Sequence, residues 1–177
     1  MIQVTQLTSI PEDVFNTLYD QSIFSMDNGT FDWSFIGLSN ATNEDKKSAI
    51  LSLYNDCLSK DNSLCILFEK DGLPRGLYGG TIEGDYWRIY LGLYGANSQG
   101  SKSDMYGDYD HMESMFSFIN SKGCVGWEID CFKNESIYNF HTTKPQVARQ
   151  NITETFLSNT GSGKEYVRLS FTMKDAE

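Results

Sequence analysis

Between Ser63 and Tyr94 three strand-like runs follow one another with almost nothing between them. "SLCILFEK" turns at Asp71-Gly72 into "GLYGGTIE", which turns at Gly84-Asp85 into "YWRIYLGLY". Acidic-Gly and Gly-acidic pairs supply the backbone freedom a tight hairpin needs, so this stretch reads as an antiparallel meander. The next segment cannot continue it. "LGLYGANSQGSKS" leaves the last run through Gly95, Gly100 and small polar residues. Met105, Tyr109, Met112, Phe116 and Ile119 then step by helical spacing, and Lys122 and Gly123 close the helix. "CVGWEIDCF" is a further strand. Strand, helix and strand in succession predict a parallel pair joined by a right-handed crossover. A meander feeding a parallel crossover requires a mixed sheet.

The flanks fit the same sheet. "IQVTQL" alternates as a strand and runs into a helix at "SIPEDVFNTLYD", where Ser9 and Glu12 have capping-box spacing and Pro11 falls in the first turn. A second helix spans "TNEDKKSAILSLYNDCL": Thr42 caps it, acids fill its first turn, and Ile50, Leu53, Tyr54, Cys57 and Leu58 form its apolar stripe. After the crossover come a short helix at "NESIYNFHTTK" and a hairpin of "ITETFL" and "EYVRLSFTM". The expected class is α+β: a mixed sheet of about seven strands with helices on both faces. At 177 residues, with no repeat and no linker, the chain reads as a single domain over 1–177.

Composition removes whole classes of function. A formal net charge of -10 provides no basic field for nucleic acid or an anionic membrane surface. No apolar run is long enough to span a bilayer, and the N-terminus lacks a basic region followed by an apolar one. The expectation is a cytoplasmic protein with no nucleic-acid and no membrane partner. Cys57, Cys65, Cys124 and Cys131 show no C-x-x-C spacing and sit in apolar patterns, so they read as buried free thiols, and no metal site is predicted.

The loop after "YWRIYLGLY" raises the question of phosphate binding. Gly95 and Gly100 have the separation of a P-loop, but Ser101 intrudes before Lys102 and breaks the motif. The strand–loop–helix context still suits an anion, because backbone N–H groups at a helix N-terminus attract one whatever the motif. With this loop, the element order resembles the GNAT family of N-acetyltransferases. The likeness in element order covers most of the chain and is best from Tyr86 to Thr143. In that family a R/Q-x-x-G-x-G/A loop holds the pyrophosphate of coenzyme A. Here "NSQGSK" puts Gly100 on the motif, with Asn97 in the Arg/Gln place and Lys102 where a small residue stands. The resemblance implies acetyl-CoA as cofactor, the backbone around Leu91 and Leu93 beside its pantetheine arm, and Gln99, Gly100, Ser101, Lys102 and Ser103 facing its pyrophosphate.

The resemblance also implies candidates for the chemistry. Amine acetylation needs a base for the ammonium proton and an acid for the leaving thiolate. The family's acid is often a tyrosine in an N-x6-Y pattern. "NESIYNFH" places His141 seven residues after Asn134, and Tyr138 four after it. Tyr138 and His141 are therefore both candidates, histidine being able to donate a proton near neutrality. Glu128 and Asp130 alternate onto one strand face opposite Trp127 and Ile129; Glu128 is the candidate base, and a solvated face is the competing reading. Arg88 either pairs with an acid or lies against the rings of Tyr78, Tyr86, Trp87, Tyr90 and Tyr94. Two functions stay open. One is an acyltransferase moving acetyl to a small amine, which an acidic protein would attract. The other is the same fold without activity, a binding or assembly protein. The Asn-, Ser- and Tyr-rich composition fits a microbial or viral source.

Overall fold

The computed structural model describes residues 1–25, 33–94, 109–143, 149–159, 161 and 163–174. Among them are seven strands: β1 (Ile2–Leu7), β2 (Ser63–Lys70), β3 (Leu73–Glu83), β4 (Tyr86–Tyr94), β5 (Gly126–Phe132), β6 (Gln150–Asn159) and β7 (Glu165–Met173). Four α-helices accompany them: α1 (Glu12–Ser25), α2 (Asn43–Leu58), α3 (Tyr109–Ser121) and α4 (Ser136–Thr143). The strands form one sheet in the order β1-β2-β3-β4-β5-β7-β6. Every ladder is antiparallel except β4 with β5, so the α+β mixed sheet and the parallel crossover are both as expected.

The turns form where the sequence allows positive φ. Asp71 and Gly72 take φ 53° and 79° between β2 and β3, and Gly84 takes φ 60° before β4. Thr42 caps α2 by accepting from the Asp45 N–H at 3.2 Å. The start of α1 differs from expectation. Its first bond runs from the Phe15 N–H to the Pro11 carbonyl at 3.0 Å, so Pro11 is the cap and Ser9 lies outside the helix. Proline disfavours helical backbone at the residue before it, so α1 cannot reach back to a Ser9–Glu12 box.

The two sheet faces carry separate cores. On one, α3 sends Met112, Met115, Phe116 and Ile119 against Ile66 and Phe68 of β2, Trp87 of β4, Trp127 and Ile129 of β5, and Leu169 and Phe171 of β7. On the other, Phe15, Leu18 and Tyr19 of α1 and Ile50, Tyr54 and Cys57 of α2 cover Cys65 and Leu67 of β2, Leu77 of β3, and Leu91 and Leu93 of β4. β4 serves both cores, at opposite ends. Gly79 faces Leu91 and Gly80 faces Ile89, which leaves Tyr90 without a partner in β3. This β-bulge adds one residue and inverts the pleat. Before it the odd-numbered Trp87 and Ile89 face α3; after it Leu91 and Leu93 face α1 and α2.

Candidate active site: the opening between β4 and β5

The parallel ladder is short. Tyr86 pairs with Gly126, Trp87 with Trp127 and Arg88 with Glu128, and there the pairing ends. Both strands run on, β4 to Tyr94 and β5 to Phe132, without bonding to each other. β4 continues beside β3, and β5 beside β7. The sheet thus opens in a V whose vertex is the Arg88–Glu128 rung. The bulge at Tyr90 lies just past that vertex and turns β4 away, which is the usual work of a bulge.

Side chains mark the vertex. Arg88 Nε donates to Glu128 Oε1 at 2.9 Å, and Arg88 Nη2 lies 2.8 Å from the same oxygen. Ser170 Oγ on β7 donates to Glu128 Oε2 at 3.3 Å. Glu128 is only 5% exposed, so its carboxylate is buried while its partner Arg88 stays partly exposed. One step along β5, Arg168 of β7 grips Asp130 through Nε at 2.8 Å and Nη2 at 3.0 Å. Glu128 and Asp130 therefore share a face, as the alternation of "WEID" required, and each is tied to an arginine. Arg88 takes the acid-paired arrangement.

The free edge of β4 is partly occupied. Ser22 Oγ on α1 donates to the Tyr94 carbonyl and accepts from the Tyr94 N–H, both at 2.9 Å. Those backbone groups thus point away from β3. Backbone direction alternates along an antiparallel strand, so Gly92 presents its N–H and C=O to the same open edge. Leu91 and Leu93 face β3 through their backbones and bury their side chains in the α1/α2 core. At the Leu77–Leu93 rung, the Tyr54 hydroxyl donates to the Leu77 carbonyl at 2.7 Å. Burial drives the Tyr54 phenol well above its ordinary range. The Tyr94 ring lies on the opposite face, T-shaped to Tyr78 at 5.5 Å, and burial pushes its phenol up to about 12.

The candidate proton carriers on α4 part company. His141 is buried, its Nδ1 at 2.7 Å from the Ile137 carbonyl one turn back, which fixes the Nδ1–H tautomer for that bond. Its ring packs edge-on to Trp127 at 5.7 Å and lies 6.1 Å from Phe171; those two rings stack at 4.1 Å and 12°. Trp127 and Phe171 belong to the α3 side of the sheet, so His141 packs on the face opposite the Glu128 carboxylate. Tyr138 instead donates to Glu154 Oε1 on β6 at 2.6 Å, and Lys133 Nζ reaches Glu154 Oε2 at 2.9 Å. β6 is separated from β5 by β7, so the Tyr138 hydroxyl is directed away from the opening. That bond raises the Tyr138 phenol and lowers the Glu154 carboxyl. Gln99, Gly100, Ser101, Lys102 and Ser103 lie outside the described residues.

Sequence reasoning missed the bulge, Ser22 and Arg168. The bulge left no signal, because unbroken alternation would put Trp87, Leu91 and Leu93 on one face. Ser22 left none, being one small polar residue on a helix.

No family model matches the chain, and no curated protein sequence matches it. Solved structures do match along the whole chain. One is a protein assigned to the GNAT acetyltransferase family from Desulfovibrio desulfuricans: TM-score 0.57, 10% identity, 97% of this chain and 99% of that one. A second is the aminoglycoside 6'-N-acetyltransferase from Enterococcus faecium: TM-score 0.57, 9% identity, 99% of both chains. A third is the PaiA N-acetyltransferase from Thermoplasma acidophilum in complex with coenzyme A: TM-score 0.53, 14% identity, 95% of this chain and 98% of that one. The fold is that of the GNAT acetyltransferases. Among the described residues no helix is long and apolar enough to cross a membrane, and no cluster of His, Cys, Asp and Glu could hold a metal ion.

Proposed function

We propose that the chain transfers an acetyl group from acetyl-CoA to an amine, with the V between β4 and β5 as the site. The observation that carries this reading is the ladder ending at Arg88–Glu128, which leaves the β4 edge at Gly92 without a strand partner among the described residues. An unpartnered backbone edge beside an opening suits an amide-bearing arm, because each exposed N–H and C=O needs a partner. Bound acetyl-CoA would supply acetyl as a thioester, from whose sulfur the amine displaces it. Leu91 and Leu93 hold Gly92 at the edge by burying their side chains on one side. Gln99, Gly100, Ser101 and Ser103 would face the pyrophosphate through backbone N–H groups, and Lys102 would add a favourable charge.

His141 serves as the proton donor in this reading. It packs against Trp127 of β5, whereas Tyr138 is committed to Glu154. Glu128 Oε2, which accepts from Ser170 alone among the described residues, is the atom that takes the ammonium proton. The acceptor is a small cationic amine such as a polyamine, lysine or amino sugar, in keeping with the net charge of -10.

A second reading, a binding protein with this fold and no turnover, is favoured by the engagement of Glu128 with Arg88 and of Tyr138 with Glu154. One experiment separates the two. Acetyl-CoA and CoA are titrated by calorimetry into the wild type and Gly100→Trp, and release of free CoA thiol is monitored with polyamine, lysine and amino-sugar acceptors. Micromolar binding lost in Gly100→Trp, with thiol release, supports the enzyme. Binding without release supports the second reading. No heat at millimolar cofactor sinks the enzyme and leaves the fold as a binding or assembly protein.

A further inference from the structure

Two of the four thiols lie against each other. Cys57, in the last turn of α2, and Cys65, in β2, have their sulfurs 3.6 Å apart, with the Cys65 S–H directed at Cys57 Sγ. Both are buried in the α1/α2 core. We propose that Cys57 and Cys65 are a redox-active dithiol that closes to an intramolecular disulfide under peroxide, linking α2 to the sheet.

The surroundings assign the two sulfurs different parts. The hydrogen bond from Cys65 holds the Cys57 thiol below its ordinary range, and the Tyr90 hydroxyl and the Lys60 ammonium act in the same direction, against the opposing effect of burial. Cys65, bonded to a neighbouring sulfur and desolvated, moves the other way. Cys57 is therefore the attacking sulfur and Cys65 the resolving one. Its thiolate attacks one peroxide oxygen and the O–O bond breaks. The oxygen stays on sulfur as Cys57–S–OH, and the other leaves as hydroxide, which takes a proton to become water. Cys65, losing its proton, then attacks Cys57 Sγ, the S–O bond breaks, and a second water leaves. Two thiols and one peroxide become one disulfide and two waters.

The geometry permits closure by one moving part. A disulfide needs the sulfurs at about 2 Å, so they must approach by roughly 1.5 Å. β2 is hydrogen-bonded to β1 and β3 along its length and is fixed. Cys57 is one residue from the end of α2, whose last turn has no basic side chain on its terminal carbonyls. The Ser59 N–H and hydroxyl and the Lys60 N–H bond its last carbonyls, so admitting peroxide and closing the gap both require this turn to release them. Closure breaks the Cys57 Sγ contact to the Gly80 carbonyl at 3.3 Å, beside the bulge. It also draws on Lys60, whose ammonium lies 5.2 Å over the Tyr90 ring and 3.4 Å from its hydroxyl. Cys124 and Cys131 serve as internal controls. Burial raises both thiols, Cys131 to about 11, and neither has a sulfur neighbour among the described residues.

The test uses the whole native protein. After exposure to hydrogen peroxide, remaining thiols are alkylated under denaturing conditions and the protein is digested without reductant. The expected result is a mass loss of about 2 Da before alkylation, a linked Cys57–Cys65 peptide, and full alkylation of Cys124 and Cys131, all reversed by dithiothreitol. Cys65→Ser should instead accumulate a dimedone-reactive sulfenic acid at Cys57, and Cys57→Ser should leave Cys65 reduced. Alkylation of all four cysteines, a link involving Cys124 or Cys131, or sulfinic acid at Cys57 without a link would overturn the proposal. The wild-type peptide map decides the matter even where a serine variant fails to fold.

Discussion

β4 is one strand in sequence and two in behaviour. From Tyr86 to Arg88 it is bonded on both edges, to β3 and to β5, and points Trp87 at α3. From Leu91 to Tyr94 it keeps only β3, and points Leu91 and Leu93 at α1 and α2. Between the two lies Tyr90, 44% exposed and unpaired. The first part is stabilised by the ladder itself. The second is stabilised at its open edge by the Ser22 hydroxyl on the Tyr94 N–H and C=O, and through its side chains by the burial of Leu91 and Leu93 under α1 and α2. A sheet can open without collapsing only if its freed backbone groups find partners elsewhere.

The comparison breaks most completely at Gly80, opposite the bulge. A Cβ there would lie 2.0 Å from the Arg88 carbonyl oxygen and 2.7 Å from its carbon. Both atoms are backbone and cannot step aside. Gly80→Val should cost about 3 kcal/mol or more, or prevent folding, read by urea denaturation. Gly84→Ala, strained by its φ of 60° but with no atom within 4 Å, should cost about 1 kcal/mol and serves as the reference. Equal losses in the two variants would mean that the bulge does not set the register.

Arg88→Met tests the vertex. It leaves Glu128 buried without its cation, and about 3 kcal/mol should be lost. Adding Glu128→Gln should restore much of that, so a denaturation cycle is expected to be strongly non-additive. Additive losses would show that the two residues do not act as a pair. Ser22→Ala, on the open half, should cost about 1 kcal/mol, since the Tyr94 N–H and C=O lose their partner. Hydrogen exchange at Tyr94 should accelerate while Trp87 stays protected.

The smallest effect lies far from β4. Tyr138 and Lys133 hold the Glu154 carboxyl below its ordinary value, so their stabilisation is present above the normal carboxylate range and fades as pH falls through the lowered one. Glu154→Gln should lower the melting temperature by about 1 °C at neutral pH, the difference narrowing in acid. If the same variant weakened a measured acetyl transfer strongly, Tyr138 rather than His141 would be the proton donor.

Much of the fold is legible in the sequence, for identifiable reasons. Asp71-Gly72 and Gly84-Asp85 dictate hairpins because few other pairs adopt such turns, and the hairpins dictate the meander. The helix between "YWRIYLGLY" and "CVGWEIDCF" dictates the parallel pair. Alternation alone does not reveal that β7 sits between β5 and β6, because a hairpin docks by either strand. The site is less legible than the fold. Alternation puts Glu128 and Asp130 on a common face, but their arginine partners lie in β4 and β7, distant in sequence. Tyr138 and His141 are three residues apart on one helix, and only the packed structure separates the one aimed at β6 from the one against Trp127.

The short parallel ladder also bears on how the chain assembles. β1 to β4 form one antiparallel set and β5 to β7 another, and among the described residues three residue pairs are the only strand pairing between the sets. α3 bridges them by laying its apolar face across strands of both. The seam is no more remote in sequence than the pairings inside the sets: Tyr86 pairs with Gly126, whereas Ile2 pairs with Lys70 and Trp127 with Phe171. Two sets joined by so few strand bonds should be separable at the seam. Fragments 1–94 and 109–177, expressed together, should find each other and restore the sheet.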